Sequence, residues 1–398
     1  MIKVYAIKSI LSKGDNSIDK DSKELLNGLE EILKEEFKII DNVDELSSDE
    51  LSLILVQTGG SEGFFKKDIY PFFNGPYYLL TYGANNSLAA SLEILSFIKN
   101  ESKKGEVLHG DISYIANRIK DLKKYREDTI YNLGVLGVPS DWLISSNVDY
   151  KKCMDIFRIK LIDINQEEVI DAIKKHNENA PYDSFKSSFD HKELDKAYRI
   201  YLGLKDIVDK YNLAGFTLRC FDILSALKSS SCLALALFND LGITASCEGD
   251  IPSLLTMFIL ENKFKALPFQ ANPNWIDPVE NELTLAHCTL PLKMCESYTF
   301  DTHFESGIGV GIHGELKEED ITIVKISSSL ELFYIEEGRI IKNEYRKDRC
   351  RSQIVIHLNG NVSYFLTSSL GNHHIVIYGK KKEEIRRYLT NLGLREVI

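Results

Sequence analysis

The chain has 398 residues, and 48 lysines and arginines against 59 aspartates and glutamates leave a formal net charge of −11. That length allows two or three domains with sizeable cores, and 44% hydrophobic with 27% charged residues excludes disorder and collagen-like repetition. The acidic balance offers no broad basic surface for nucleic acid, and no run approaches the roughly 18 apolar residues of a membrane span. The polar start MIKVYAIKSI lacks the apolar core of a secretory leader, so a cytoplasmic protein without nucleic-acid or membrane partners is expected.

Along the chain, KVYAIKSI reads as a strand and DSKELLNGLEEILKEEF as an amphipathic helix. FKIID follows, then SLILVQ running into the loop TGGSEG, then GPYYLLTYG running into the helix NNSLAASLEILSFIKN. Residues 112–128 make another amphipathic helix. Strands alternating with helices predict a parallel sheet covered on both faces. A new cycle opens at NLGVLGVPSDWLIS, which places a domain over 1–128. The same grammar repeats over 129–284. VLGVP is a strand, CMDIFRIKLIDI a helix then a strand, and QEEVIDAIKKHN and ELDKAYRIYLGLKDIVDKYN are helices. GFTLRCF is a strand, DILSALKSSSCLALALFNDLG a helix, and ITASCEGD a strand. Over 285–398 the pattern changes to short strands spaced about 8–12 residues apart, as in an antiparallel sheet or barrel. They are LTLAHCTL, IGVGIHGEL, ITIVKISS, LELFYIEEG, RIIKNEY, SQIVIHLNG, VSYFLTSS and HHIVIYG, closed by the helix KKEEIRRYLTNLG. The expected class is α/β: two tandem Rossmann-like, doubly wound domains followed by a β-rich antiparallel C-terminal domain.

Seven scattered cysteines without a CxxC pair read as reduced thiols rather than a disulfide framework or a zinc cage. No GxxxxGK[ST] occurs, and Gly307, Gly309 and Gly311 lie within strand grammar rather than between a strand and a helix, so no nucleotide cofactor is expected. The loop Thr58–Gly63 follows a buried strand, where open α/β sheets bind ligands, although a plain tight turn explains it equally. Asn85 and Asn86 begin a helix, as caps or as a polar lip for a hydroxylated ligand. Asp222 ends GFTLRCFD, and Glu248 and Asp250 end ITASCEGD, so carboxylates at neighbouring strand tips would converge on one crevice. Helix capping also accounts for Asp250, which precedes Pro252. Glu248, between an apolar strand and a glycine turn, needs no such role. Histidines enter late: His287, His303 beside Glu305, and the pair His373–His374, which on a strand face opposite sides. Carboxylates with one or two imidazoles suit Mn²⁺, Mg²⁺, Co²⁺ or Fe²⁺ better than a structural zinc. Arg219, Arg349 and Arg351 read as an anion clamp or as structural ion pairs.

The combination CFDIL…CLALALFNDLGITASCEGDIPSLLTM…AHCTLP…GNHHIVIYG resembles the L-fucose isomerase and L-arabinose isomerase superfamily, and within it the short fucose isomerase-like branch. The resemblance covers roughly residues 215–379, and the N-terminal third matches only in its βα order. It implies two Rossmann-like domains with a β-rich third, and interconversion of an aldose and a ketose through an enediol. It also implies a Mn²⁺-type ion held by two carboxylates and a late histidine. Residue by residue, Asp222 would match the first carboxylate (a glutamate in the fucose enzyme), Glu248 or Asp250 the second, and His373 or His374 the histidine. His287 would join Asp222, Glu248 and Asp250 as a catalytic residue, as a related histidine does in the arabinose-type enzymes. The expected substrate-binding residues are Gly59, Gly60, Ser61, Asn85, Asn86, Arg219, His303, Glu305 and Asn372. The family further implies a homo-oligomer, trimer or hexamer, in which the first domain of one chain closes a neighbour's pocket around a small-molecule sugar. Alternatives on the same scaffold are a phosphorylated or sulfonated sugar, or a non-catalytic sugar-binding or regulatory protein.

Overall fold

The structure, a computed structural model, describes residues 1–397 apart from 13, 48–49, 102, 125–128 and 186–187. It divides into two compact units, Met1–Asp128 and Thr129–Ile398. No helix among the described residues is long and apolar enough to cross a membrane.

The first unit is a five-stranded parallel sheet of β1 (Ile2–Ile7), β2 (Phe37–Ile40), β3 (Ser52–Val56), β4 (Tyr77–Leu80) and β5 (Gly105–Leu108). Its order is β2-β1-β3-β4-β5. Every residue of β3 is buried, the mark of a strand covered on both faces. Leu26, Leu29, Ile115 and Ile119 build the core on one face, and Phe65, Ile69, Ile94 and Ile98 on the other. The strand order reverses between β1 and β3, which opens a crevice beyond their C-terminal ends. That crevice has a volume of about 700 Å³, with Ser9, Thr58, Gly59, Gly60, Asn85 and Asn86 in its lining.

The second unit starts with a parallel sheet of β6 (Tyr131–Leu136), β7 (Ile159–Ile164), β8 (Gly215–Leu218) and β9 (Thr244–Cys247), in the order β7-β6-β8-β9. Helix Ile251–Phe264 follows and is apolar on nearly all sides, as befits an element covered all round. The β-rich part comprises β10 (Phe269–Asp277), β11 (Glu282–His287), β12 (Cys295–Asp301), β13 (Gly311–Leu316), β14 (Asp320–Ile326), β15 (Leu332–Glu344), β16 (Ser352–Leu358), β17 (His374–Tyr378) and β18 (Arg395–Glu396). Strands β14-β17-β10-β11-β16-β15 pair in sequence, and β15 pairs back onto β14. The sheet therefore closes into an antiparallel barrel, which leaves those strands no open edge. β12 and β13 form a separate hairpin, and β18 adds in parallel to β15. The Ile326 N–H donates to Thr256 Oγ1 at 3.1 Å and ties the barrel to helix Ile251–Phe264.

The α/β class with an antiparallel C-terminal part stands, with local corrections. The single helix expected over DILSALKSSSCLALALFNDLG is two, Cys220–Leu227 and Cys232–Asp240. Lys228 takes a left-handed conformation and three serines follow, so the first helix ends there. LELFYIEEG and RIIKNEY are one strand, β15, because the chain absorbs its glycine in the ladder and shifts register only between Ile340 and Lys342. VSYFLTSS is not a strand. Its centre is the short helix Ser363–Thr367, started by Asn361, whose Oδ1 accepts the Ser363 N–H at 2.7 Å. Antiparallel pairing begins already at Phe269, where Pro273 obscures a strand that bulges between Pro273 and Trp275.

Candidate metal centre

Strand β9 ends at Cys247, and the chain must turn at once into helix Ile251–Phe264. It does so through two consecutive left-handed residues, Glu248 at φ +63° and Gly249 at φ +73°. A Cβ on Gly249 would lie 2.7 Å from Pro139 Cα, so only glycine fits there. Glu248 has no such excuse. A non-glycine residue in this region is strained by about 1–2 kcal/mol, and such strain gathers at functional sites. Its carbonyl accepts the Ser140 N–H at 2.9 Å, and its Oε2 accepts the Trp142 indole N–H at 2.7 Å.

Two barrel strands bring the histidines. β11 and β17 both flank β10, with Ala286 opposite Asn272 and His374 opposite Ala271. His287, which ends β11, and His373, which precedes β17, therefore reach the same end of the barrel, with ring centroids 5.5 Å apart. His373 Nε2 lies 3.7 Å from Glu248 Oε1. One ligating atom from each of Glu248, His287 and His373 lies within 4.8 Å of the others. That is close to twice a metal–ligand bond of about 2.1–2.4 Å, so one ion can span all three.

The electrostatics suit a cation. Burial pushes the Glu248 carboxyl up, but His373, His287 and the indole outweigh it and bring it down to about 2. Burial, with His373 adding to it, brings the His287 imidazole down to about 4 and keeps it neutral, and its Nδ1 is 2.8 Å from Thr289 Oγ1. Burial opposes charge on His373, yet Asp250 and Glu248 bring it up to about 9. Its Nδ1 donates to Asp250 Oδ2 at 2.8 Å, while its buried Nε2 has no hydrogen-bond partner among the described residues. That nitrogen faces a carboxylate and a neutral imidazole, and a divalent ion would take the place of the proton it carries while His373 is charged. The donor set fits such an ion, and three protein ligands would leave open coordination positions.

Asp250, 1% exposed, has both oxygens engaged. Oδ1 accepts the Ser253 N–H as the helix cap, and Oδ2 takes the His373 ring with Lys325 Nζ at 3.5 Å. It orients His373 in the way carboxylates orient metal-bound imidazoles. His374 faces the opposite side, with Nδ1 on the Asn372 carbonyl at 2.9 Å and Nε2 accepting from the Tyr364 hydroxyl at 3.0 Å. Asn372 thus contributes its backbone there.

Asp222 does not join the group. β8 stops at Leu218, so Asp222 falls in the first turn of helix Cys220–Leu227, where it pairs with Arg219 at 3.1 Å. Arg219 also grips both carboxylate oxygens of Asp141, at 3.2 and 3.1 Å. Arg351 binds Thr302 and Asp301, and Arg349 faces Glu344 at 3.7 Å. His303 lies beside the group. Its ring meets Phe221 edge to face at 5.7 Å, and Phe221 in turn meets Trp142 at 4.8 Å. Its Nε2 is 3.8 Å from Glu305, whose carboxyl is raised by burial and by Glu248, against the pull of His303.

Gly59, Gly60, Asn85 and Asn86 line the crevice of the first unit, where the Gly59 N–H donates to the Asn85 carbonyl at 2.8 Å. Asn86 caps its helix in position only, because its side chain makes no capping bond. Ser61 is fully buried and donates to the Thr58 carbonyl. Two residues of the centre escaped the sequence reading. Trp142 stands on a βα turn, one of two tryptophans in the chain, and Lys325 is a lone charge in the apolar strand ITIVKI.

No protein-family model matches the sequence. It is similar to the sulfoquinovose isomerase of Clostridium sp. (strain MSTE9), at 27% identity over 214 residues, 49% of this chain and 46% of that protein. It is also similar to the sulfoquinovose isomerase of Alkalicoccus urumqiensis, at 21% identity over 190 residues, 45% of this chain and 41% of that protein. The match thus spans under half the length of either curated relative.

Proposed function

We propose that the chain is a divalent-metal-dependent isomerase that interconverts an aldose and a ketose, and that its sugar carries a sulfonate. The observation that carries the reading is the convergence of Glu248, His287 and His373, one ligating atom of each lying within 4.8 Å of the others. The two sulfoquinovose isomerases support the substrate class. Glu248, His287 and His373 would hold a Mn²⁺-type ion, which would supply Lewis-acid polarisation of the sugar carbonyl.

The remaining work belongs to the chain. Aldose–ketose exchange removes a proton from the carbon next to the carbonyl and returns it to the former carbonyl carbon, with an enediol between. Glu248, held well below the usual carboxylate range, is a poor proton acceptor and serves as a ligand. Glu305, beside His303 and raised from the ordinary carboxylate value by burial and by Glu248, takes the transfer, the direction that favours a catalytic acid–base. The Trp142–Phe221–His303 wall excludes water and orients the sugar. Arg219 receives the sulfonate, since its partner Asp141 is 84% exposed and readily displaced from a bidentate grip. The crevice of the first unit, with Gly59, Gly60, Asn85 and Asn86, takes hydroxyls of a sugar held by a neighbouring chain. A homo-oligomer, trimer or hexamer, belongs to the same reading, and light scattering that returns a single-chain mass would remove it.

The experiment is to incubate the protein, with Mn²⁺ and with a chelator, with a 6-sulfonated aldohexose and with its sulfonate-free parent. Ketose should form only with the ion present, and faster from the sulfonated sugar. Absence of ketose from either sugar in metal-loaded protein would refute the reading.

A further inference from the structure

Lys325 lies on β14 in the row of Ile321 and Ile323, whose side chains belong to the barrel core, and it is only 2% exposed. An ammonium in such a place is costly unless it is countered. An aliphatic residue would fill the row at no such cost. Its Nζ is 3.5 Å from Asp250 Oδ2 and 3.3 Å from Ser253 Oγ. The chain leading to His373 packs on the ammonium at Gly371, whose ideal Cβ position lies 3.5 Å from Lys325 Cε and 3.7 Å from Nζ, ordinary contact distances. Asp250 is thereby fixed from two directions, by the Ser253 N–H on Oδ1 and by Lys325 beside Oδ2. It is left with one outward task, accepting the His373 Nδ1–H.

We infer that Lys325 is a positioning residue for the metal centre, holding Asp250 in place so that His373 presents Nε2 to the ion alongside Glu248 and His287. The inference rests on the reading of those three residues as a metal site. Lys325 touches neither ion nor sugar and acts through two intermediaries. Outer partners of metal-bound imidazoles typically change affinity by about 10–100-fold, and an effect in that range is expected here.

A double-mutant cycle on the full chain, read by calorimetric titration with Mn²⁺, tests it. Lys325→Met and Asp250→Asn should each weaken binding by about 10–100-fold. The double variant should bind no more weakly than Asp250→Asn alone, because a residue that acts through Asp250 has nothing left to act on. Lys325→Met strands a buried carboxylate and can unfold. Lys325→Gln, uncharged but able to donate an amide N–H to Asp250 Oδ2, then takes its place in the cycle with the same expectation, and melting in chelator checks every fold. Additive losses, or a Lys325→Met protein that binds Mn²⁺ as the wild type does, would overturn the positioning role and leave the metal site standing. Failure of the wild type to bind Mn²⁺ would overturn the metal reading and this inference with it.

Discussion

Glu248 combines a left-handed backbone, an indole N–H on one oxygen and an imidazole facing the other. Each feature constrains where its negative charge sits, which is the demand a metal ligand makes. In the proposed isomerase the proton is assigned to a different carboxyl, Glu305. Glu305→Gln should keep Mn²⁺ affinity and lower turnover by about 10²–10⁴-fold. Equal turnover in the two proteins would move the proton to another group. His287→Asn should weaken Mn²⁺ binding while its melting temperature in chelator stays near the wild-type value; a protein that melts early but binds normally would make His287 a core histidine. At this scale the sequence was half legible. The CEGD acids stood out, yet Glu248 and Asp250 could be told apart only by seeing which one a helix cap and a lysine had already engaged. Asp222 misled because GFTLRCFD contains no mark of where its strand ends, and the chain enters a helix two residues earlier.

The element that matters most is the turn between β9 and helix Ile251–Phe264. Gly249→Ala should destabilise the protein by more than about 1 kcal/mol, since the left-handed conformation and the Pro139 backbone both oppose a Cβ. It should also weaken Mn²⁺ binding, because any relief of the clash shifts Glu248. A denaturant midpoint and affinity unchanged from wild type would show that this turn has slack. Strands of the parallel sheets were readable because burial on both faces demands continuous apolar runs. The breaks were less so. The serine run that splits one expected helix, and the glycine that β15 absorbs, are local signals whose outcome the surrounding packing decides.

At the scale of the molecule, Glu248 comes from a parallel sheet, while His287 and His373 come from strands on either side of β10. No spacing in the sequence encodes that adjacency. It follows from the order in which the barrel pairs, and the sequence showed only that short strands were present. An ion held by all three residues would join the sheet to the barrel within Thr129–Ile398 and would bind only the folded state. Mn²⁺ at a hundred times its dissociation constant should therefore add about 2.7 kcal/mol to stability. Melting temperatures unaffected by saturating Mn²⁺ would count against an ion shared between those elements.

The most direct test of the metal-centred account is Mn²⁺-dependent ketose formation from a 6-sulfonated aldohexose by the wild type and by Glu248→Gln, with bound metal measured in the same samples. The wild type should bind one Mn²⁺ per chain and produce ketose. The variant, unchanged in shape but without the charge, should lose both while remaining folded. Full metal content and turnover in Glu248→Gln would place the centre elsewhere in the chain.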